Sequence, residues 1–299
     1  IIHLSMINSK SIRIIVRIHY NRAMNTNTKL VVLDLDGTLL NIHGEVSDEG
    51  YAVLHALQQQ GIHRLISSGR PFYSVQRIFK KPVYDYVSCM NGLEIYEASG
   101  KVIYSHDPLQ AEEINTCMNL LQKYPMVMSF SDKEKFYHTC ANWFYIPSIL
   151  YSGVYALYHK VSGKPHYPHH LTPVVKIHLQ TCEKLCFSSF HFVLKDFVSH
   201  LKQENYSYFF VNSKWLEVCP HGVSKGNALH ILKQLLNIQD TEVVAIGDGE
   251  NDLSMFEEAG TSVAMGNAMK KVKERADDSA LSNLQDGAVD WLKKHLLTL

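Results

Sequence analysis

From residue 30 onward, the chain alternates between two patterns of apolar positions, one typical of buried strands and one typical of amphipathic helices. The segment LVVLDLD over residues 30–36 predicts a buried strand. In the helical segment that follows, Ser47 fits the N-cap position and Gly61 fits the C-terminal position. The next predicted elements are a strand over residues 62–68, a short helix after Pro71, a strand over 84–92 and a hairpin around Ser99-Gly100.

The pattern changes at Asp107-Pro108, where short aromatic strands and irregular sequence rich in Tyr, His and Pro replace the regular alternation. The elements predicted from this point up to Ser224 are helices over 111–123 and 191–203, strands near 126–139, a strand over 174–181 and strands within 206–220. The first pattern returns at Ser224, which fits the N-cap position of the next helix. Its predicted elements are helices over 224–237, 250–260 and 286–297 and strands over 242–248 and 261–266.

This order of elements predicts an α/β fold. Its core domain is a doubly wound, Rossmann-like parallel sheet, and an inserted α+β domain interrupts it. We assign residues 29–106 and 211–299 to the core and residues 107–210 to the insert.

Residues 1–28 are predicted to be an N-terminal extension. The first 23 residues contain four basic residues and no acidic one, and Arg13 and Arg17 interrupt the continuous apolar region that a signal peptide needs. Met24 stands a few residues before the first strand. We therefore interpret residues 1–23 as sequence upstream of the native start, with a basic amphipathic surface helix as the alternative.

Composition and charge disfavour several classes of protein. Hydrophobic residues make up 46% of the chain and charged residues 19%, which predicts a sizeable buried core rather than disorder. Lys plus Arg and Asp plus Glu both number 29, so no basic field favours nucleic acid. No stretch reaches membrane-spanning length. We expect neither a nucleic-acid nor a membrane partner.

The six cysteines do not form the spacing pattern of a disulfide framework. Cys182 and Cys186 have the spacing of half a zinc site, but no second Cys or His pair accompanies them. Reduced thiols in the cytoplasm are the simpler interpretation.

Polar residues follow four of the predicted core strands. They are Asp34 and Asp36, the run Ser67-Ser68-Gly69-Arg70, the pair Asn91-Gly92, and GDGEND at residues 247–252. The carboxyl ends of strands in an open parallel sheet meet at the ligand crevice, so we expect these residues to converge near Lys225. Crowded carboxylates need compensating charge, which Mg²⁺ and a lysine supply. With hydroxyls and free backbone N–H groups at Gly37 and Thr38, such a site suits a phosphoryl group.

Each of these features also has an ordinary structural explanation when it is taken alone. Strand-end Asp and Ser residues form turns and caps, and a lysine in a first helical turn is usually solvated. GDGEND contains Gly-x-Gly but lacks the third glycine of a dinucleotide site. Only the combination points to chemistry, in which one carboxylate acts as a nucleophile and another as a proton shuttle.

Four motifs resemble the signatures of the haloacid dehalogenase superfamily of phosphatases. They are DLDGTLL at 34–40, SGR at 68–70, VSKGNAL at 223–229 and GDGENDLSM at 247–255. LEVCPHGVSKGNAL at 216–229 is similar to the Cof-type branch, subclass IIB, in which a larger α/β cap occupies the position of the insert. The resemblance covers residues 29–299.

The resemblance implies a role for each matching residue. Asp34 would attack phosphorus and form an aspartyl-phosphate, Asp36 would protonate the leaving oxygen and then activate water, and Lys225 would neutralise the carboxylate–phosphate pair. The implied Mg²⁺ site comprises Asp34, the backbone carbonyl of Asp36, Asp248 and, through water, Asp252. The implied phosphate-binding residues are Gly37, Thr38, Ser68, Gly69, Arg70, Asn91 and Asn251.

Two departures from the family pattern lie in the second strand. His63 and Arg64 stand where the family has apolar residues, which predicts an exposed strand face or a locally different packing. Ser68 stands where the family usually has Thr, and it keeps the hydroxyl group.

The resemblance implies a Mg²⁺-dependent phosphatase of small phosphorylated metabolites, with sugar phosphates, pyridoxal phosphate and flavin-pathway phosphates all open as substrates. A phosphotransferase or phosphomutase would use the same intermediate. A non-catalytic phospholigand-binding protein would predict loss of Asp34 or Asp36, and both are present.

The insert would act as a cap that closes over the crevice and sets specificity. We interpret most of its aromatic residues as core and expect some to stack on a planar ligand. They are Phe130, Phe136, Tyr137, Trp143, Phe144, Tyr145, Tyr151, Tyr155 and Tyr158. Five histidines suggest a metal site as an alternative, although their segment has a loop-like composition. They are His159, His166, His169, His170 and His178.

Overall fold

The computed structural model of the protein describes residues 27–132, 135–141, 143, 171–173, 179–201 and 205–297. Several sequence predictions lie outside these residues. They concern the extension up to residue 26, the five histidines, the strand residues 174–178 and the aromatic residues Phe144, Tyr145, Tyr151, Tyr155 and Tyr158.

The described residues form strands and helices in the predicted alternation. The strands are β1 (Leu30–Leu33), β2 (His63–Ser67), β3 (Tyr86–Cys89), β4 (Glu94–Glu97), β5 (Val102–Ser105), β6 (Leu109–Gln110), β7 (Val127–Asp132), β8 (Lys135–Cys140), β9 (Leu171–Pro173), β10 (Thr181–Cys182), β11 (Leu185–Ser188), β12 (Tyr206–Asn212), β13 (Trp215–Pro220), β14 (Val243–Gly247), β15 (Thr261–Ala264) and β16 (Asp278–Ser279). The α-helices are α1 (Asp48–Gln59), α2 (Phe72–Ile78), α3 (Ala111–Leu121), α4 (His191–Ser199), α5 (Lys225–Leu236), α6 (Leu253–Glu257), α7 (Lys270–Lys273) and α8 (Gly287–Leu296).

Two of the predicted helix caps are confirmed. Ser47 Oγ accepts a hydrogen bond from the backbone N–H of Gly50 at the start of α1. Ser224 Oγ accepts from the N–H of Asn227 at the start of α5. Each cap satisfies a backbone donor that the helix itself leaves unpaired, and so it fixes where the helix begins.

The core sheet has the strand order β16-β15-β14-β1-β2-β3-β4-β5. Its strands from β16 to β3 are parallel, and the β4–β5 hairpin adds an antiparallel edge. All four residues of β1 are buried, as expected for a central parallel strand covered on both faces. The predicted doubly wound α/β fold with an insert is confirmed, and β1 lies at the centre, with β14 and β2 on either side.

The insert has its own sheet and its own apolar core. The sheet order is β12-β13-β11-β7-β8-β9, and β6 pairs separately with β10. Apolar residues of α3 and α4, such as Ile114, Leu121 and Phe197, pack against it. Each sheet therefore buries a separate hydrophobic cluster.

The predicted boundary at residue 210 falls inside a strand. β12 continues to Asn212 and pairs with β13, whose residues Leu216 and Val218 belong to the core of the insert. Cys219 already packs in the core of the first sheet. The insert sheet thus extends past the predicted boundary because the hairpin supplies its edge, and the chain crosses between the two cores near Pro220.

The two departures in β2 differ in burial, because the His63 side chain is 42% exposed and Arg64 is buried in a different local packing. The Arg64 side chain is only 1% exposed, and it forms two hydrogen bonds to the carboxylate of Asp85, with Nε to Oδ2 at 3.0 Å and Nη2 to Oδ1 at 2.6 Å. It also donates to the carbonyl of Leu54 in α1. The bidentate pair compensates the buried charge.

Candidate active site

The carboxyl ends of β1, β2 and β14 face a cavity of about 390 Å³ that the insert covers. Core residues on its wall include Asp34, Asp36, Arg70, Asp248 and Asn251. Residues of the insert complete the wall; they are Ser129, Phe130, His138, Lys184, Cys186, Val211, Trp215 and Glu217. A cavity of this size accommodates a small molecule.

The segment after β1 turns sharply around Gly37. Asp34 directly follows the strand, Leu35 is fully buried as an anchor, and Gly37 has a φ of 84°. A Cβ atom on Gly37 would lie 2.4 Å from Oδ2 of Asp248. Glycine is therefore required both by the backbone conformation and by the close approach of that carboxylate. The hydroxyl of Thr38 donates to Asp248 Oδ1 at 3.1 Å.

Three of the predicted metal ligands form one cluster. Asp34, Asp248 and Asp252 each offer an oxygen within 4.8 Å of the others. Burial, helped by the neighbouring carboxylates, raises the pKa of Asp34 well above its usual range, and burial with Asp252 raises the pKa of Asp248 to about 6. Both shifts come mainly from burial, and neighbouring carboxylates add to it. Three carboxylates buried so close together are hard oxygen ligands that fit a divalent cation.

Lys225 places a positive charge against the aspartate cluster. Its Nζ donates to Asp34 Oδ1 at 2.5 Å and to Asp252 Oδ1 at 2.6 Å, and its side chain is fully buried. Burial alone would lower the pKa of Lys225, but the two carboxylates raise it above its ordinary value. The lysine therefore stays charged beside Asp34.

Asp252 uses both carboxylate oxygens within the protein. Oδ1 accepts from Lys225, and Oδ2 accepts from the backbone N–H groups of Asp248 and Gly249 at 2.8 Å each. It thereby fixes the loop that carries Asp248. This position suits the supporting role that the motif implies for Asp252 better than a direct metal contact.

Asp36 lies apart from the carboxylate cluster. Its two oxygens accept from Nε and Nη2 of Arg70, both at 2.6 Å, and its side chain is 55% exposed. Its carboxylate is thus held at the cavity wall by a bidentate pair. Of the two aspartates in the first motif, Asp34 belongs to the cluster and Asp36 pairs with Arg70.

The remaining predicted residues lie at the ends of β2, β3 and β14. Gly69 and Asn251 line the cavity, whereas Ser68 and Asn91 are not among its lining residues. Ser68 is buried, and its hydroxyl accepts from the N–H of Arg70. Asn91 is fully buried with a φ of 59°, and its Oδ1 accepts from Nδ2 of Asn251 at 3.1 Å. The Gly69 carbonyl is bonded to a lysine of the insert.

Sequence reasoning missed Asn267, Lys184 and Glu217. Asn267 Nδ2 donates to the carbonyl of Gly37 at 2.8 Å and to Asp248 Oδ2 at 3.2 Å. Its position just after β15, at the same sheet edge as the other site residues, was an available signal. Glu217 stands in the motif at 216–229, which was a signal as well. Lys184 carried none, because it comes from the insert and reaches the site only through the fold.

The zinc site suggested by Cys182 and Cys186 finds no support in the described residues. The five histidines of the other alternative lie outside those residues. Among the described residues, which include Cys182 and Cys186, the only group of three or more metal-binding side chains is the aspartate cluster. All six cysteines lie in the described part of the chain and form no disulfide. No helix in that part has the length and apolar character needed to cross a bilayer.

The family model of the haloacid dehalogenase-like hydrolases matches residues 31–292. A putative phosphatase of Bacillus subtilis, YxeH, is 32% identical, over 90% of this chain and 98% of its own length. The HMP-PP phosphatase of Citrobacter koseri is 27% identical, over 90% of this chain and 96% of its own length.

A solved structure described as a subclass IIB sugar phosphatase, BT4131, superposes with a TM-score of 0.72 at 20% identity. The superposition covers 91% of this chain and all of that one, and it bears on the fold alone. The chain therefore belongs to the haloacid dehalogenase-like hydrolases and has the fold of their subclass IIB.

Proposed function

We propose that the protein is a Mg²⁺-dependent phosphatase that hydrolyses small phosphorylated metabolites through an aspartyl-phosphate on Asp34. The observation that carries the proposal is the position of Asp34. Asp34 is a buried carboxylate at the end of the central strand, and it accepts a hydrogen bond from Lys225. It is grouped with two further aspartates and lines the cavity that the insert covers. A buried carboxylate with fixed partners is suited to nucleophilic attack.

In the first half-reaction, an Asp34 oxygen attacks phosphorus, and the bond from phosphorus to the leaving oxygen breaks. For this step the Asp36 carboxyl group is released from Arg70 in its protonated form and gives its proton to the leaving oxygen. As a carboxylate it then takes a proton from the water that attacks phosphorus, which breaks the bond between phosphorus and the Asp34 oxygen and releases phosphate. Arg70 holds the Asp36 carboxylate at the cavity wall. This separation of Asp36 from the cluster supports distinct roles for the two aspartates.

Positive charge and donors around Asp34 reduce the repulsion between the carboxylate and the incoming phosphoryl group. Lys225 contributes the charge. We assign backbone N–H groups at Gly37 and Thr38, with Ser68, Gly69, Arg70, Asn91 and Asn251, to the phosphate-binding wall. Asp34, the carbonyl of Asp36 and Asp248 would hold Mg²⁺, supported by Asp252, and the ion would supply charge neutralisation and orientation of the phosphoryl oxygens.

The cavity supports a small substrate rather than a macromolecular one. Its volume is about 390 Å³, and residues of the insert close it on one side. The HMP-PP phosphatase named above has comparable length and similar sequence, which supports a phosphorylated metabolite as the class of substrate. The sugar phosphates, pyridoxal phosphate and flavin-pathway phosphates of the sequence prediction stay within this class.

The test replaces Asp34 by Asn and measures phosphate release from para-nitrophenyl phosphate with Mg²⁺. We expect activity to fall by roughly three orders of magnitude or more, because the nucleophile is lost while the side-chain shape is kept. Asp290→Asn is the matched control, since Asp290 pairs with Lys294 on the surface of α8. Wild-type activity in Asp34→Asn, or turnover that persists after EDTA treatment, would contradict the proposal.

A further inference from the structure

Two oppositely charged residues of the insert are buried where the insert meets the core. Lys184 lies just before β11, and Glu217 lies in the neighbouring strand β13. Lys184 Nζ and Glu217 Oε1 are 2.6 Å apart, and the two side chains are 9% and 10% exposed. Both residues line the cavity.

The charged groups are bonded to the core as well as to each other. Lys184 Nζ donates to the carbonyl of Gly69 at 2.7 Å, and Asn91 Nδ2 donates to Glu217 Oε2 at 2.6 Å. A Cβ atom on Gly69 would come within 3.2 Å of Glu217 Oε2, so glycine permits this close approach. The pair thus joins the insert to the loops that follow β2 and β3.

The hydrogen-bond chain continues from the insert to the phosphate wall. A carboxylate only accepts, so Glu217 fixes which end of the Asn91 amide faces it. The other end, Oδ1 of Asn91, accepts from Nδ2 of Asn251 at 3.1 Å, and Asn251 lines the cavity. The Glu217 carboxylate therefore orients the amide of Asn91, and Asn91 in turn orients the amide of Asn251.

Stability alone does not account for such a pair. Removing two charges from water costs several kcal/mol, and replacing a buried ion pair with apolar residues is often neutral or stabilising. Here the pair also forms hydrogen bonds to Gly69 and Asn91 of the core, and these bonds exist only while the insert is in contact with the core. Its hydrogen bonds are directional, which apolar contacts are not.

We propose that Lys184 and Glu217 are positioning residues that complete the phosphate site when the insert is seated. The pair holds the insert on Gly69 and sets the amides of Asn91 and Asn251 in the orientation that the phosphoryl group meets. The proposal rests on the proposed phosphatase function. It predicts that loss of the Glu217 charge weakens phosphate binding although Glu217 belongs to the insert.

The experiment measures kcat, KM for para-nitrophenyl phosphate and the inhibition constant of inorganic phosphate in Glu217→Gln, with the melting temperature as a check on folding. Glutamine keeps the shape, but it loses the charge and allows the Asn91 amide to turn over. We expect the inhibition constant and KM to rise on the order of tenfold, as when a charged hydrogen bond is lost.

The matched control is Glu258→Gln, which removes the charge of a carboxylate paired with the buried Lys233. Lys233 lies in the last turn of α5, and neither residue lines the cavity. The kinetic constants of this control should equal those of the wild type. The double variant Lys184→Met/Glu217→Leu replaces the pair with apolar side chains that keep the boundary packed. It should stay folded and show the same loss of phosphate binding, which separates positioning from stability.

The energetic coupling between Glu217 and Asn91 tests the hydrogen-bond chain that joins them. Asn91→Leu should raise the inhibition constant, and adding Glu217→Gln to it should raise that constant no further. Wild-type phosphate binding in folded Glu217→Gln or in the double variant would overturn the proposal, as would fully additive effects with Asn91→Leu. A wild-type protein that neither turns over the ester nor binds phosphate would instead refute the phosphatase function.

Discussion

At the residue scale, the site depends on one buried ammonium group between two carboxylates. Lys225 lies between Asp34 and Asp252, and its charge offsets part of the negative charge of the cluster. Four of the residues singled out in the sequence, Asp34, Lys225, Asp248 and Asp252, come together as predicted, because strand ends and one helix start meet at the same sheet edge. Their chemical roles remain proposals.

Replacing Lys225 by Met should destabilise the protein by roughly 3–5 kcal/mol, because two buried carboxylates lose their partner. The loss should shrink when Mg²⁺ is added, since a cation compensates the same carboxylates. Urea unfolding with and without MgCl₂ measures both effects. Lys271→Met, at the half-exposed pair with Glu250, is the control and should change stability by less than about 1 kcal/mol.

Side-chain direction was less predictable than position at this scale. Asp36 is only two residues from Asp34, yet its carboxylate faces Arg70 and the cavity wall rather than the cluster. Sequence spacing gave no orientation here, because the turn around Gly37 departs from strand geometry directly after Asp34. Asn267 was not among the predicted site residues, although it stands just after β15 at the same sheet edge.

At the element scale, the strands and helices of the core followed from periodicity and caps, whereas the partners of polar strand residues did not. Arg64 in β2 is buried by a bidentate pair with Asp85, which lies just before β3. A charged residue in a strand predicts exposure unless its partner is known, and this partner is set by the pairing of β2 with β3. The sequence prediction accordingly left exposure and altered packing open.

Asp85→Ala should lower the free energy of unfolding by about 3 kcal/mol, because Arg64 would remain buried with only the Leu54 carbonyl as acceptor. Thermal or urea unfolding measures the change. The control is Glu97→Ala, which removes the exposed pair between Glu97 and Lys101 and should cost less than about 1 kcal/mol. Equal losses in the two variants would contradict the importance of the buried pair.

At the scale of the whole molecule, the insert and the core share one cavity. The alternation of elements and the change at Asp107-Pro108 predicted a core with an insert, and the two sheets agree with that fold class. The point where the chain returns from the insert to the core was harder to predict, because strands precede and follow it and periodicity does not tell which sheet a strand joins. Contacts such as Glu217 with Asn91 join residues far apart in sequence, and no local pattern encodes them.

The central claim, that Asp34 carries the phosphoryl group, is tested most directly by mass spectrometry of acid-quenched Asp36→Asn during turnover of para-nitrophenyl phosphate. Nitrophenolate leaves without protonation, so the first half-reaction should proceed while loss of the base at residue 36 slows hydrolysis of the intermediate. The account predicts one added phosphoryl group on Asp34, absent from Asp34→Asn/Asp36→Asn. Continued nitrophenolate release with Asp34 unmodified, or a phosphoryl group on another residue, would contradict it.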